Sequence, residues 1–471
     1  MAKDMRSFIE ELEDAGLLLR VEKPVNVDTQ AGAINWRAIK ERHKAVLCDN
    51  LKGFPGWRSF SGIMGTRDIA AVALGVGRKE MMRYLDGQMK NLHSNSSTLV
   101  DSGPVHEIVE MGDEVNLLDM PFHVVSEGDV GRYVGSAFMV CKDPDTGISN
   151  LSIHRHQVKG EDRLGIMIAA GKHAGRIYAK YRQRGEPMPV AIVNGHHGAV
   201  VMASTWTAAY GLDEYDIANV LLGEPLELVK CKTVDLEVPS NAEVVIEGMI
   251  PPDVLEEEGP FGEHTGCTIA GEGPNPVVEV TAVTRRKDAI FLQITEGPDT
   301  DGAILDALPM EVQIYQGIKD MGGGLDIRQV VVHESAGGGH VVIVQMVPQW
   351  EGETRAVLMA ALSSEYLHPK IAIAVDEDAD PYDPRELLWS LSTKVNPSDD
   401  VLVIDGTPGH SLDASLPRLT PYDVNPVMRL GSRMAIDACK PPVSQGHHRD
   451  ELARLWPKGY SSVALEDFLN G

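Results

Sequence analysis

Two carboxylates flank a Gly-Pro turn in Glu258-Gly-Pro-Phe-Gly-Glu263. A chain reversal there can bring both into one cavity, where like charges cannot both ionise cheaply and one carboxyl keeps its proton near neutral pH. A retained proton is what a general acid requires. Read by itself, the run is more simply a solvated acidic loop in a chain with 69 acidic residues, so other segments must decide.

Several do carry chemistry. Asn150-Leu-Ser-Ile-His-Arg155 offers an amide oxygen suited to a metal and a guanidinium suited to a carboxylate, whose two oxygens match its forked donors. Odd spacing puts the two side chains on opposite faces of a regular strand, so they meet only if the strand is interrupted. Gly171-Lys-His173-Ala-Gly175 opens a helix, where an imidazole can ligate a metal and free amides can hold phosphate; a lone His is as readily a satisfied polar residue. Ser204-Thr-Trp206 precedes a helix with Glu214 in its first turn, ordinarily a partner of the helix dipole. His196-His197 read as loop residues. His368-Pro-Lys370 leads into a buried strand that exits in the acidic run Asp376-Glu-Asp-Ala-Asp380. That run lacks the ligand spacing of a calcium loop and reads as a solvated helix cap. Gly322–Gly324 and Gly337–Gly339 carry no phosphate-loop or dinucleotide fingerprint and read as turns.

The elements that must position these residues fall into three textures. Met5, Phe8, Ile9, Leu12 and Leu17 recur at helical spacing, ending near Gly16, and a strand over Ala45–Cys48 and a helix over Ile69–Leu85 follow. From about residue 105, short strands are punctuated by Gly, Pro and Asp: Tyr133–Cys141, Asn150–Gln157, Leu164–Ala169, Val190–Val193, Leu226–Cys231, Glu243–Ile250 and Val277–Thr284. Helices over His173–Arg184 and Asp213–Leu222 interrupt them. After about residue 305, Ile327–Val332, His340–Met346, Arg355–Leu367, Lys370–Val375, Pro384–Lys394 and Val401–Ile404 read as β-β-α-β-α-β. The last sixty or so residues read as irregular, closing on a short helix, Ser462–Leu469, of the kind that docks on a partner subunit.

Composition excludes several classes. A chain of 471 residues with 43% hydrophobic content can build two or three cores, and its net charge of -26 repels nucleic acid and anionic membranes. Five scattered cysteines without a Cys-x-x-Cys pair argue against a disulfide framework, a zinc ribbon or an iron–sulfur site. The amphipathic, acidic N-terminus is unlike a signal or transit peptide, and no apolar run is long enough to span a bilayer, so a cytoplasmic location is expected.

Taken in order, Asn150…Arg155, His173, Glu214-Tyr215, Glu258-Gly-Pro-Phe-Gly-Glu263, Asp376–Asp380 and Ile436-Asp-Ala-Cys-Lys-Pro441 resemble the UbiD family of prenylated-FMN-dependent (de)carboxylases, over roughly residues 5 to 442. The resemblance implies an α/β (α+β multidomain) fold: an N-terminal α/β domain (1–104), a flavin-reductase-like split β-barrel that binds prenylated FMN (105–304), and a C-terminal α/β oligomerisation domain with its tail (305–471). It implies Asn150, His173 and Glu214 as ligands of Mn²⁺ or Mg²⁺, a donor set suited to such ions, and a K⁺ held by backbone carbonyls near Leu151 and Ser204–Trp206. Ser152, Ile153, His154, Arg155, Lys172, His173, Ser204, Thr205, Trp206 and Lys370 are implied as the cofactor's binding residues, with Lys370 reaching its phosphate. Glu258, Arg155 and Glu263 are implied as the catalytic set, Glu263 being assigned the proton donor and Glu258 a network role.

The implied reaction is reversible, non-oxidative decarboxylation of an aromatic, heteroaromatic or α,β-unsaturated carboxylic acid through a covalent prenylated-FMN adduct, a hydroxybenzoate-like or heteroaromatic acid being favoured. Dependence on a flavin prenyltransferase and a homodimer or homohexamer are implied with it. Five positions depart from the family's usual pattern: Lys172 beside His173, Trp206, and His264, Thr265 and Cys267 after Glu263. Rival readings are a non-catalytic flavin-binding or assembly subunit of the same fold and an FMN reductase.

Overall fold

Asp4 begins the fold as a helix cap: its side chain accepts from the Ser7 amide and Ser7 answers to the Asp4 amide, starting the Met5–Asp14 helix. That helix buries Met5, Phe8, Ile9 and Leu12, the residues its spacing predicts. The computed structural model describes residues 3–92, 95–169, 171–268, 273–364, 366–410, 412–416 and 430–469. The architecture is mixed α/β.

A four-stranded sheet forms first, ordered Leu18–Val21, Ala45–Cys48, Arg58–Ser61 and Ile290–Gln293. Its last strand lies some 230 residues from its neighbour in the chain and pairs with it in parallel. The expected helix over Ile69–Leu85 is two helices, Arg67–Leu74 and Met81–Met89. Gly75 is the cause: at φ +66° it closes the first with a left-handed cap.

The β-rich centre is a ten-stranded sheet. Its main path runs Tyr133–Val134, His156–Val158, Arg163–Ile166, Gly273–Arg285, Val244–Ile250, Met188–Asn194, Phe138–Lys142 and Ser149–Ile153. Leu255–Glu258 and Ile108–Met111 also pair with Gly273–Arg285. The path does not close: among the described residues its two end strands do not pair with each other. Two expected strands are each divided. Tyr133–Cys141 breaks into Tyr133–Val134 and Phe138–Lys142, and Asn150–Gln157 into Ser149–Ile153 and His156–Val158, because each half follows a different neighbour.

The C-terminal sheet is ordered Ile327–Val332, Val341–Met346, Ile371–Val375, Leu430–Ala438 and Val401–Pro408. Leu430–Ala438 corrects the reading of an irregular last sixty residues. Its Gly, Ser and Asp residues weaken its intrinsic strand preference, and it is held by pairing on both edges. The expected helix over Ser462–Leu469 is a single 3₁₀ turn, Leu465–Phe468. Nor is the Asp376–Asp380 run a solvated cap. Asp376 is fully buried and accepts from Lys394 Nζ at 2.6 Å and the Lys440 amide at 2.8 Å, while Asp378 accepts from Lys440 Nζ at 3.1 Å.

One hydrophobic core runs through all of this, taking in Phe8, Met64, Leu221, Leu292, Leu308 and Ala435. No helix among the described residues is long and apolar enough to cross a membrane.

Candidate active site

The interruption at His154–Arg155 resolves the spacing problem. Asn150 pairs with Cys141 in one strand, and His156 pairs with Val134 and Ile166 in the next. Arg155 lies between the two strands, so alternation does not carry from Asn150 to it. Both side chains line one cavity of about 330 Å³.

Arg155 is buried there between two carboxylates. Its Nε and Nη2 donate to Glu258 at 3.1 and 2.7 Å, a forked pair, and its Nη1 donates to Glu263. Glu258 stands at the end of the strand Leu255–Glu258, fully buried behind the arginine, whereas Glu263 faces the cavity. The turn between them is anchored from outside. Gly259 sits at φ +94°, which an L side chain resists, and the Gly262 amide donates to Asp129 at 2.8 Å. Asp129 also accepts from the Val125 and Ser126 amides. Phe261 packs its ring 5.5 Å from the Arg155 guanidinium. Burial raises the pKa of Glu263 above the ordinary carboxylate value, against the opposing pull of Arg155.

A second cluster assembles from three element starts and edges. Glu214 is the first residue of Glu214–Leu222, whose capping Asp213 accepts from the Tyr215 amide. His173 is the first residue of His173–Arg184, and Asn150 lies in Ser149–Ile153. Glu214 Oε1 accepts from Asn150 Nδ2 at 3.1 Å and lies 3.8 Å from His173 Nδ1, and Oε2 accepts from the Leu151 amide at 2.8 Å. Glu214 is buried, and among the described residues His173 is the one basic side chain found within ion-pair distance of it. A buried carboxylate without lysine or arginine, beside an amide and an imidazole, fits a hard or borderline divalent ion.

Ser152, Ile153, His154, Lys172, Ser204, Thr205 and Trp206 line the same cavity. His154 is held neutral, its pKa pushed down to about 4 by burial, and bridges Ser152 Oγ to the Met167 carbonyl. Burial also lowers the Lys172 pKa, against the opposing pull of Asp306. Lys172 and the amides at the start of the His173 helix together offer an anion cradle. Lys370 is not brought in. It stands off the cavity wall, donating to Asp413 and Ser415 at 3.1 and 2.6 Å.

Phe261, Glu296, Asp306, Tyr366, His368 and His410 also line the cavity without having been singled out. Two signals were present. Glu296-Gly-Pro repeats the Glu-Gly-Pro triplet that begins at Glu258, and His368 stands two residues before Lys370. Asp306 and His410 carry no such mark.

Three comparisons bear on this site. Models described as the N-terminal, Rift-related and C-terminal domains of 3-octaprenyl-4-hydroxybenzoate carboxy-lyase match residues 9–88, 98–299 and 303–438. A phenolic acid decarboxylase of Bacillus subtilis (strain 168) is 31% identical over 465 residues, covering 96% of this chain and 95% of its own. The UbiD-class enzyme HmfF of Pelotomaculum thermopropionicum, solved in complex with FMN, superposes with a TM-score of 0.89 at 32% identity, covering 99% of this chain and 100% of that one. An evolved dimeric form of HmfF in complex with prFMN gives 0.86 at 31% identity, with the same coverage.

Proposed function

The chain belongs to the UbiD family of carboxy-lyases, and from that premise we propose that it decarboxylates an aromatic acid reversibly and without net oxidation, with prenylated FMN as cofactor. Hydroxybenzoate-like or heteroaromatic acids are the favoured substrates. The observation that carries the reading is the Glu258–Arg155–Glu263 ion-pair chain, opening onto the cavity that also holds Asn150, His173 and Glu214. For this function the chain divides into an N-terminal domain (1–104), a split β-barrel flavin domain (105–304) and a C-terminal oligomerisation domain (305–471).

Bound prenylated flavin would supply the electron sink that an sp² carbanion lacks. The protein's own part is charge placement and proton delivery. Glu258 occupies one edge of the Arg155 fork and so fixes the guanidinium plane, leaving Arg155 to hold the departing carboxylate. Glu263, whose proton burial favours, donates it to the ring carbon once CO₂ has left, and recovers one from water or from the next substrate. In the carboxylation direction it removes that proton. Asn150, His173 and Glu214 would hold Mn²⁺ or Mg²⁺ against the flavin phosphate. A K⁺ would sit on carbonyls near Leu151 and Ser204–Trp206. Lys370 is left out of this reading because of its place beside Asp413.

The chain would depend on a flavin prenyltransferase for its cofactor and work in the cytoplasm as a homodimer or homohexamer. Leu455, Trp456, Tyr460 and Phe468 support assembly through the tail, each standing more than half exposed. The test is co-expression with a flavin prenyltransferase, followed by absorbance of the purified protein and CO₂ release from a panel of aromatic acids. Cofactor-dependent release supports the reading. Bound prenylated flavin with no release from any acid would favour a non-catalytic subunit, and NAD(P)H oxidation with plain FMN a reductase.

A further inference from the structure

Beyond Glu263 the cavity wall turns nitrogen-rich. His264 follows Glu263 directly, Asp306 projects from the second turn of the Asp301–Asp320 helix, and His368 precedes the Ile371–Val375 strand. One ligand atom from each of the three lies within 4.8 Å of the other two. His264 Nε2 is 3.4 Å from Asp306 Oδ2. His264 Nε2 and His368 Nδ1 are both buried without a hydrogen-bond partner, and His368 is only 8% exposed. Buried imidazole nitrogens ordinarily find partners, so two orphans in one group of three ligand-bearing side chains ask for one.

The surrounding backbone makes room for them. A Cβ at Gly338 would stand 2.1 Å from His264 Cδ2, and one at Gly339 would stand 3.1 Å from the His368 Cβ. The Gly337–Gly339 run, which reads in the sequence as a turn, thus lets both histidines reach the cavity.

We propose that His264, Asp306 and His368 form a second divalent-cation site, on the Glu263 side of the cavity, selective for a first-row transition ion. Two imidazoles and one carboxylate suit Zn²⁺, Co²⁺, Fe²⁺ or Mn²⁺, where an all-oxygen set would suit Mg²⁺ or Ca²⁺. Three protein ligands facing a cavity leave positions for water or an oxygen of a bound acid. The site shares no residue with Asn150, His173 and Glu214, and among the described residues no hydrogen bond or ion pair joins the two groups.

The test is cobalt stoichiometry by equilibrium dialysis of the metal-stripped full-length protein, with visible absorption as the spectroscopic readout. Wild type should bind two equivalents. His264→Gln, Asp306→Asn and His368→Ala should each bind one, losing the stronger bands that imidazole-ligated, low-coordinate Co²⁺ gives. His173→Ala should lose the other equivalent and keep those bands. Retention of one ion by a variant shows that the variant is folded. The proposal is overturned if none of the three variants binds one equivalent fewer than wild type, or if the lost ion carries no imidazole-type spectrum. None of these readings requires turnover, and because each variant is compared with wild type, the outcome does not depend on whether the Asn150, His173 and Glu214 site fills without flavin.

Discussion

At the scale of single residues, the cavity separates carboxyl groups by environment. Glu263 is partly buried with a raised pKa but still faces Arg155. Glu263→Gln should lower decarboxylation by about 10²-fold or more while flavin binding, read by absorbance, is retained; lost binding would move the residue from chemistry to architecture. Because decarboxylation needs Glu263 protonated, kcat should fall as pH rises through its raised pKa, placing that limb above the ordinary carboxylate value of about 4.3. Glu296 behaves differently. Its Oε2 is buried without a hydrogen-bond partner, and burial, then Glu263 and Asp306, push its pKa well above the ordinary value. Burial favours its neutral form, so Glu296→Gln should move the Glu263 limb by less than ~0.5 pH unit. A larger downward shift would mean that Glu296 is ionised in the native cavity.

At the scale of elements, starts and interruptions position the chemistry, and regular stretches hold the starts still. Asp301 opens the helix that carries Asp306, and its buried carboxyl accepts from the Met64 amide at 2.8 Å and the Thr295 amide at 3.1 Å. Burial nonetheless raises its pKa to about 6. The folded value exceeds the unfolded value of about 3.9, so the associated stability is complete below about pH 4 and is lost as pH rises through about 6. Wild-type unfolding free energy should therefore fall relative to that of Asp301→Asn by up to ~3 kcal/mol between pH 4 and 7, read by urea denaturation. A constant difference would show that the carboxyl is already ionised at the bottom of that range.

At the scale of the whole molecule, the three segments of the chain share one core and several buried charges. Arg67, near the N-terminus, donates to Glu311 at 2.6 Å and Glu334 at 2.9 Å, and both it and Glu311 are almost wholly buried. Arg67→Ala strands a buried carboxylate and should cost about 3–5 kcal/mol. With the core continuous from Phe8 to Ala435, this loss should shift one unfolding transition in calorimetry as a unit; a separate low-temperature transition would show that the segments unfold independently. The exposed apolar side chains of the tail lead to a different expectation. Deleting residues 452–471 should lower the oligomer mass seen by light scattering and leave the helical signal of the remainder intact.

What the sequence determined by itself is which residue types could do chemistry, and the elements with strong local signals. Residue types name possible ligands and acids wherever they fall, and caps, glycine stops and periodic apolar faces act within a few residues. The Met5–Asp14, His173–Arg184 and Glu214–Leu222 helices were legible for that reason; Asn150, Arg155, His173, Glu214, Glu258 and Glu263 stood out by residue type, and only the family resemblance drew them into one site. The tertiary structure alone decided which of those side chains meet. It interrupted the strand at Arg155, seated Leu430–Ala438 between two strong strands, borrowed Ile290–Gln293 for the N-terminal sheet, and kept Lys370 with Asp413. Each of these depends on pairing or burial between residues far apart in the chain, and a local pattern carries no record of such partners. The acidic turn at Glu258–Glu263 shows both halves: its carboxylates are plain in the sequence, and their inequality arises only when one is enclosed behind Arg155 and the other faces the cavity.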